Sequence, residues 1–212
     1  YLGGEFRTRY GIDVSSFQGE IDWDAVADDN IDFAMVRVGF RGTGTGSLNT
    51  DKYYEQNIRG AMRAGLETGV YFFAQAVTVE EAIEEADYVI SLLDGLDING
   101  PVAYDWEMHD STYRVYGTSP EMATACAVAF CERIKDAGYT PMVYGGTYVT
   151  YMKYDQGALA DYLSWYPEYK SEKSEKLCPT LVYHMDYWQF SSSRAVAGIN
   201  GRVDMNIQFI RR

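Results

Sequence analysis

The chain has 212 residues, 47% of them hydrophobic and 23% charged, a size and balance suited to one domain with a full core. Its formal charge of −13 comes without any cluster of Lys and Arg, which argues against nucleic-acid partners, and no run of about 18 apolar residues could cross a membrane. Two histidines, three cysteines and no CxxC pair argue against a zinc site and a disulfide framework.

Tyr1 to Tyr10 lacks the apolar run of a secretion signal. Residues 1–9 are taken as an N-terminal extension and 10–212 as the single functional domain. Tyr10–Val14 reads as the first strand. Asp22 can cap a short helix over Trp23–Asp28. Phe33–Val38 is β-branched and apolar enough for a buried strand. Thr50 can open a helix that runs to about Ala64 and ends at Gly65. Gly69–Ala74 is the third strand. Thr78-Val-Glu-Glu81 has the form of a capping box, and Ala82, Ala86, Val89, Ile90 and Leu93 follow at helical spacing. Pro101–Glu107 is the fourth strand. Ser119-Pro120-Glu121 opens a long helix that carries Cys126 and Cys131 and stops at Gly138. All three cysteines, Cys178 included, read as buried packing thiols. Pro141–Tyr144 is the fifth strand, closed by two glycines.

After that the pattern changes. Leu163–Trp165, Tyr183–Phe190 and Asp204–Ile210 read as strands with little helix between them. The expected fold is therefore α/β: one TIM-like barrel that begins as five βα units and ends as three nearly bare strands. In such a barrel the site lies at the C-terminal strand ends. Asp13, Gln75, Asp105 and Glu107 fall there, and Asp204 falls at the start of the last strand.

Asp105 and Glu107 are two apart, so on a strand they share a face, with Cα atoms about 6.5–7 Å apart, while Trp106 points away. Two acids held this close raise each other's proton affinity, and one in an apolar pocket can stay protonated. Glycoside cleavage needs an acid for the leaving oxygen and a carboxylate for the cationic sugar centre. Alone, the pattern also fits two solvated acids at a strand edge. The apolar Pro101–Ala103 run before it favours a buried element. Aromatics reach 15%, 19 of them tyrosines, which suits a cleft for flat, hydroxylated ligands or a Tyr-rich core.

Together these segments resemble glycoside hydrolase family 25, the Chalaropsis-type lysozymes. The resemblance rests on Gly11-Ile-Asp-Val-Ser-Ser-Phe-Gln-Gly19 with Ile21-Asp-Trp23, on Tyr104-Asp-Trp-Glu107, and on Trp188-Gln-Phe-Ser-Ser with Gly198–Asn206. Gly69–Ala74 and Trp165–Tyr169 match more weakly, and in the second Pro167 stands where the family usually has a small residue. The resemblance covers about residues 10–210 and implies a flattened barrel of eight strands and five helices. It implies hydrolysis of the β-1,4 bond between N-acetylmuramic acid and N-acetylglucosamine in peptidoglycan glycan strands. No cofactor would be needed, and the protein would act as a secreted or wall-associated monomer of bacterial or phage origin.

By that resemblance Glu107 is the general acid. Asp105 either stabilises an intermediate formed with the substrate's 2-acetamido group or attacks directly. Asp13 and Asp204 complete the catalytic set, and Tyr71, Gln75, Tyr144, Trp165, Tyr169 and Gln189 are expected subsite residues. Two other readings fit the same residues: a chitinase-type hydrolase, although its longer acidic run before the strand end is missing here, and a wall-binding module without turnover.

Overall fold

The computed structural model describes residues 5–169 and 178–212. In chain order the elements are β1 (Phe6–Val14), α1 (Trp23–Asp28), β2 (Phe33–Arg41), a short β3 (Leu48–Thr50), α2 (Tyr54–Arg63), β4 (Glu67–Ala74) and α3 (Val79–Leu92). Then come β5 (Val102–Trp106), α4 (Pro120–Asp136), β6 (Pro141–Tyr144), α5 (Thr147–Met152), β7 (Leu163–Pro167), β8 (Tyr187–Arg194) and β9 (Val203–Arg211). Seven strands, β1, β2 and β4 to β8, pair in parallel around a barrel. The eighth, β9, lies antiparallel between β8 and β1 and closes it. The short β3 hangs antiparallel on β2, outside the ring. Each of the first five barrel strands is followed by a helix and the last three are not, which is the five-plus-three plan expected from the sequence.

The two-residue period of a strand divides the side chains between two cores. On β5, Val102, Tyr104 and Trp106 face outward into the layer shared with the helices, while Ala103 faces into the barrel. Trp106 is fully buried there and donates its indole N–H to Ala76 O at 3.0 Å. The interior core is small: Phe33, Met35, Ala103, Met142, Tyr144, Trp165 and Tyr187. Gly11 belongs to the same interior, because a Cβ there would collide with the Phe33 ring. Filling the lower barrel with large side chains leaves the upper rim for polar ones.

Several local expectations change. β1 begins at Phe6 rather than Tyr10, since Phe6 to Tyr10 pair with β9 residues 207–211. That half of the strand has no β2 partner and stays largely exposed, so it carries no apolar pattern. Thr50 ends β3 and caps nothing; α2 starts at Tyr54 without a side-chain cap. Asp51 is engaged elsewhere, as described below. The Thr78 cap forms, but the Glu81 carboxylate accepts from Val77 N–H and from Arg114 instead of completing the box. α5 had no sequence signal, being six residues of Thr, Tyr, Val and Met with no side-chain cap. β8 starts at Tyr187, not Tyr183. Cys126 and Cys131 are buried as expected, whereas Cys178 is only half-buried.

Asp22 does cap α1, its Oδ1 accepting from Ala25 N–H at 3.2 Å. Asp22→Ala is expected to cost about 1 kcal/mol of stability, read by chemical denaturation with the fold unchanged.

Candidate active site

The carboxyl ends of the seven parallel strands meet the amino end of β9 at one rim, so acids from both ends of the chain can share it. Asp13 on β1 lies directly across the ladder from Asp204 on β9. Asp105 occupies the inward position next to the last residue of β5, beside Phe73 on β4 and Tyr144 on β6. Glu107 lies one residue past the strand. All four acids line a single cavity of about 540 Å³. Tyr71, Tyr144, Trp165, Tyr169 and Gln189 line it too.

Gln75 does not. Expected as a subsite residue, it is 0% exposed and lies behind the cavity wall. The β4–β5 ladder stops at the Ala74–Trp106 pair, and the Gln75 side chain carries it one step further by donating Nε2–H to Glu107 O at 2.8 Å. Gln75 is held in turn by Glu85 Oε1, which accepts its backbone N–H at 3.0 Å, and by Arg114 Nη1, which donates to its carbonyl at 2.8 Å. Arg41 reaches the same Glu85 oxygen at 2.8 Å. A buried ionic network thus fixes the backbone that carries Glu107.

The polar contacts converge on Asp13. Its Oδ2 accepts from Gln189 Nε2 and Asn206 Nδ2, both at 2.8 Å. Gln189 Oε1 accepts from the hydroxyls of Tyr144 at 3.2 Å and Tyr169 at 2.8 Å. Asn206 Oδ1 accepts from Trp165 Nε1 at 2.8 Å. Trp165 is only 3% exposed and edge-on to Tyr144 and Tyr71, so it braces the wall and shows the cavity little surface.

Burial and mutual repulsion set the protonation states. Burial first, then the Asp204 charge, push Asp13 up to about 7, against the two amide donors. Burial raises Asp204 as well, with a hydrogen bond from Asp13 opposing it. The pair therefore binds a proton more tightly than two free carboxylates would. Burial lifts Asp105 well above the carboxylate range, the charges of Glu107 and Asp13 adding to it and Arg37 opposing. Glu107 is raised by burial, with His109 opposing and Asp204 adding. Groups protonated more tightly when folded contribute stability below their unfolded pKa and lose it as pH rises through the folded one. Asp13 (3.8 to about 7) and Glu85 (4.5 to about 7) both work in that sense. The thermal midpoint is expected to fall between about pH 4.5 and pH 7, and Asp13→Asn should flatten that fall; a midpoint rising across the window would contradict this assignment.

Residues the sequence reading passed over complete the wall: Phe17, Arg37, Phe40, Phe73, His109 and Tyr113 line the cavity, and Asn206 stands behind it. Arg37 could have been found by continuing the inward alternation of Phe33 and Met35 by one step. His109, two residues beyond Glu107, had no such signal.

The sequence profile of the glycosyl hydrolases family 25 matches residues 12–199. The autolytic lysozyme of Clostridium acetobutylicum is 26% identical over 197 residues, which cover 92% of this chain and 54% of that protein. The chain thus spans about half the length of that relative. The bacterial lysozyme of Streptomyces coelicolor superposes with a TM-score of 0.74 at 25% identity, over 93% of this chain and 90% of that one. The modular autolysin LytC of Streptococcus pneumoniae, solved with a synthetic peptidoglycan ligand, superposes with a TM-score of 0.77 at 26% identity, over 96% of this chain and 47% of that one.

Proposed function

The chain belongs to family 25 of the glycosyl hydrolases, and on that footing we propose that it is a muramidase, cutting the β-1,4 bond between N-acetylmuramic acid and N-acetylglucosamine in peptidoglycan. The observation that carries this reading is the meeting of Asp13, Asp105, Glu107 and Asp204 in one aromatic-walled cavity. The autolytic lysozyme among its relatives and the peptidoglycan ligand bound by LytC support the substrate class.

Glu107 acts as the general acid. It stands at the cavity wall with its carbonyl pinned by Gln75, and burial keeps its carboxyl group raised. It gives its proton to the glycosidic oxygen as the bond to the leaving sugar breaks. Asp105 lies deeper and faces the positive charge that develops at the anomeric carbon. Burial first, then the Glu107 charge, favour a proton on Asp105. A sugar N–H or a cationic carbon placed against Asp105 stabilises its ionised form, which leaves the proton on Glu107 where the leaving oxygen needs it. Asp13, braced by Gln189 and Asn206, positions Asp204 across the β1–β9 ladder on the opposite wall.

Digestion of purified peptidoglycan with mass analysis of the products tests the reading. Fragments ending in reducing muramic acid are expected. Fragments ending in reducing glucosamine, equal cleavage of chitin oligomers, or binding without new reducing ends would each replace it. Action on that polymer places the protein outside the cell or at the wall.

A further inference from the structure

The cleft holds one cation that the acid chemistry leaves over. Among the described residues, Arg37 is the one Lys or Arg that lines the cavity. It takes the inward β2 position above Met35, opposite Tyr71 on β4. The guanidinium is fixed on one side: Nε donates to Asp51 Oδ2 at 2.9 Å, and Nη2 reaches the same oxygen at 2.8 Å and Ser16 Oγ at 3.2 Å. The phenyl rings of Phe17 and Phe40 lie 5.1 Å and 5.5 Å from its Cζ. Nη1 has no hydrogen-bond partner among the described residues.

Phe17 is the other half of this feature. Its side chain is 85% exposed, so folding gains little from it, yet its backbone is pinned. Ser15 Oγ accepts Phe17 N–H at 3.3 Å, Gln18 Oε1 accepts Ser15 N–H at 2.8 Å, and the buried Asp51 accepts Ser16 N–H at 3.0 Å. Asp51 thus locks the turn that carries Phe17 and the guanidinium beneath it at once. The result is an apolar ring face beside free N–H donors, at the edge of a groove whose other charged groups are mostly acids. A ring face suits the apolar face of a pyranose. Guanidinium N–H groups suit a carboxylate or a carbonyl oxygen.

We propose that Phe17 and Arg37 form a subsite that reads the 3-O-lactyl group of a muramic acid residue, as a carboxylate in peptide-free glycan and as an amide carbonyl where a stem peptide is attached. The proposal rests on the muramidase reading and adds the means by which the cleft distinguishes muramic acid from N-acetylglucosamine, which has a bare hydroxyl at that position. Without Arg37, a lactyl carboxylate would enter a cavity lined by four acids.

Binding in a Glu107→Gln background, where turnover is blocked, tests it by calorimetry. The ligands are a peptide-free tetrasaccharide of alternating glucosamine and muramic acid, and a chitin tetrasaccharide. Adding Arg37→Met is expected to weaken the muramyl ligand about tenfold more than the chitin ligand, the scale of one charge-assisted hydrogen bond. Equal weakening of both, or an unchanged muramyl affinity, overturns the proposal. Phe17→Ala alters only an exposed ring and serves if Arg37→Met does not fold; a muramyl affinity that fell several-fold would support the subsite, and one that stayed put would overturn it. A wild-type chain that releases no reducing ends from peptidoglycan would defeat the hydrolase reading instead, whichever way the affinities fall.

Discussion

Glu107→Gln is expected to lower the rate of glycan cleavage by about 100- to 10,000-fold, the usual worth of a positioned general acid. The amide keeps the shape of the side chain and leaves the Gln75 bond to the Glu107 carbonyl untouched, so thermal stability and glycan affinity should change little. What disappears is the proton for the leaving oxygen, and the loss belongs in kcat rather than KM. A second readout follows from electrostatics. The Glu107 charge is one cause of the raised proton affinity of Asp105, so removing it should bring the Asp105 titration down, as followed by carboxyl-carbon NMR. Wild-type rates with Glu107→Gln would remove Glu107 from the mechanism.

Asp105→Asn is the second large loss. Among the described residues Asp105 Oδ1 has no hydrogen-bond partner, and the side chain is almost wholly buried at the end of β5. A buried carboxylate without donors is costly for a folded chain and earns its place only where a positive charge will face it. Replacing it with a neutral amide should cost about 100- to 1,000-fold in kcat, the scale of one electrostatic partner aimed at a transition state. Burying an amide costs less than burying a carboxylate, so Asp105→Asn is expected to unfold at a higher temperature than the wild type at pH 8 or so. Lower activity with lower stability would mean instead that Asp105 is structural.

The barrel plan was legible because local rules and global packing agreed. Trp106 flanked by two acids, apolar runs of five or six residues and the Asp22 and Ser119 caps all depend on neighbours in sequence, and all are found where those neighbours put them. The failures have a common cause. Thr50 looks like a helix start, but it ends β3, and the Asp51 that follows is taken by Arg37, 14 residues away in sequence. Gln75 sits at a strand end like its neighbours, yet its side chain turns along the ladder to Glu107, 32 residues on. Asn206 was part of a quoted motif, but only its bond to Asp13, 193 residues distant, gives it a place in the site. Side chains recruited by long-range polar contacts leave no periodic trace in a sequence.

The reversed last strand has a consequence for how the protein comes to be made. β9 supplies both the ladders that seal the barrel, against β8 and against β1, and the acid that faces Asp13. The β1–β9 pairings join residues 191 to 205 positions apart, so they cannot form before β9 has been made and must come late in folding. A nascent chain lacking β9 has neither a closed barrel nor a complete set of acids. The four-acid rim is thereby incomplete until β9 (Val203–Arg211) has been added and has paired with β1.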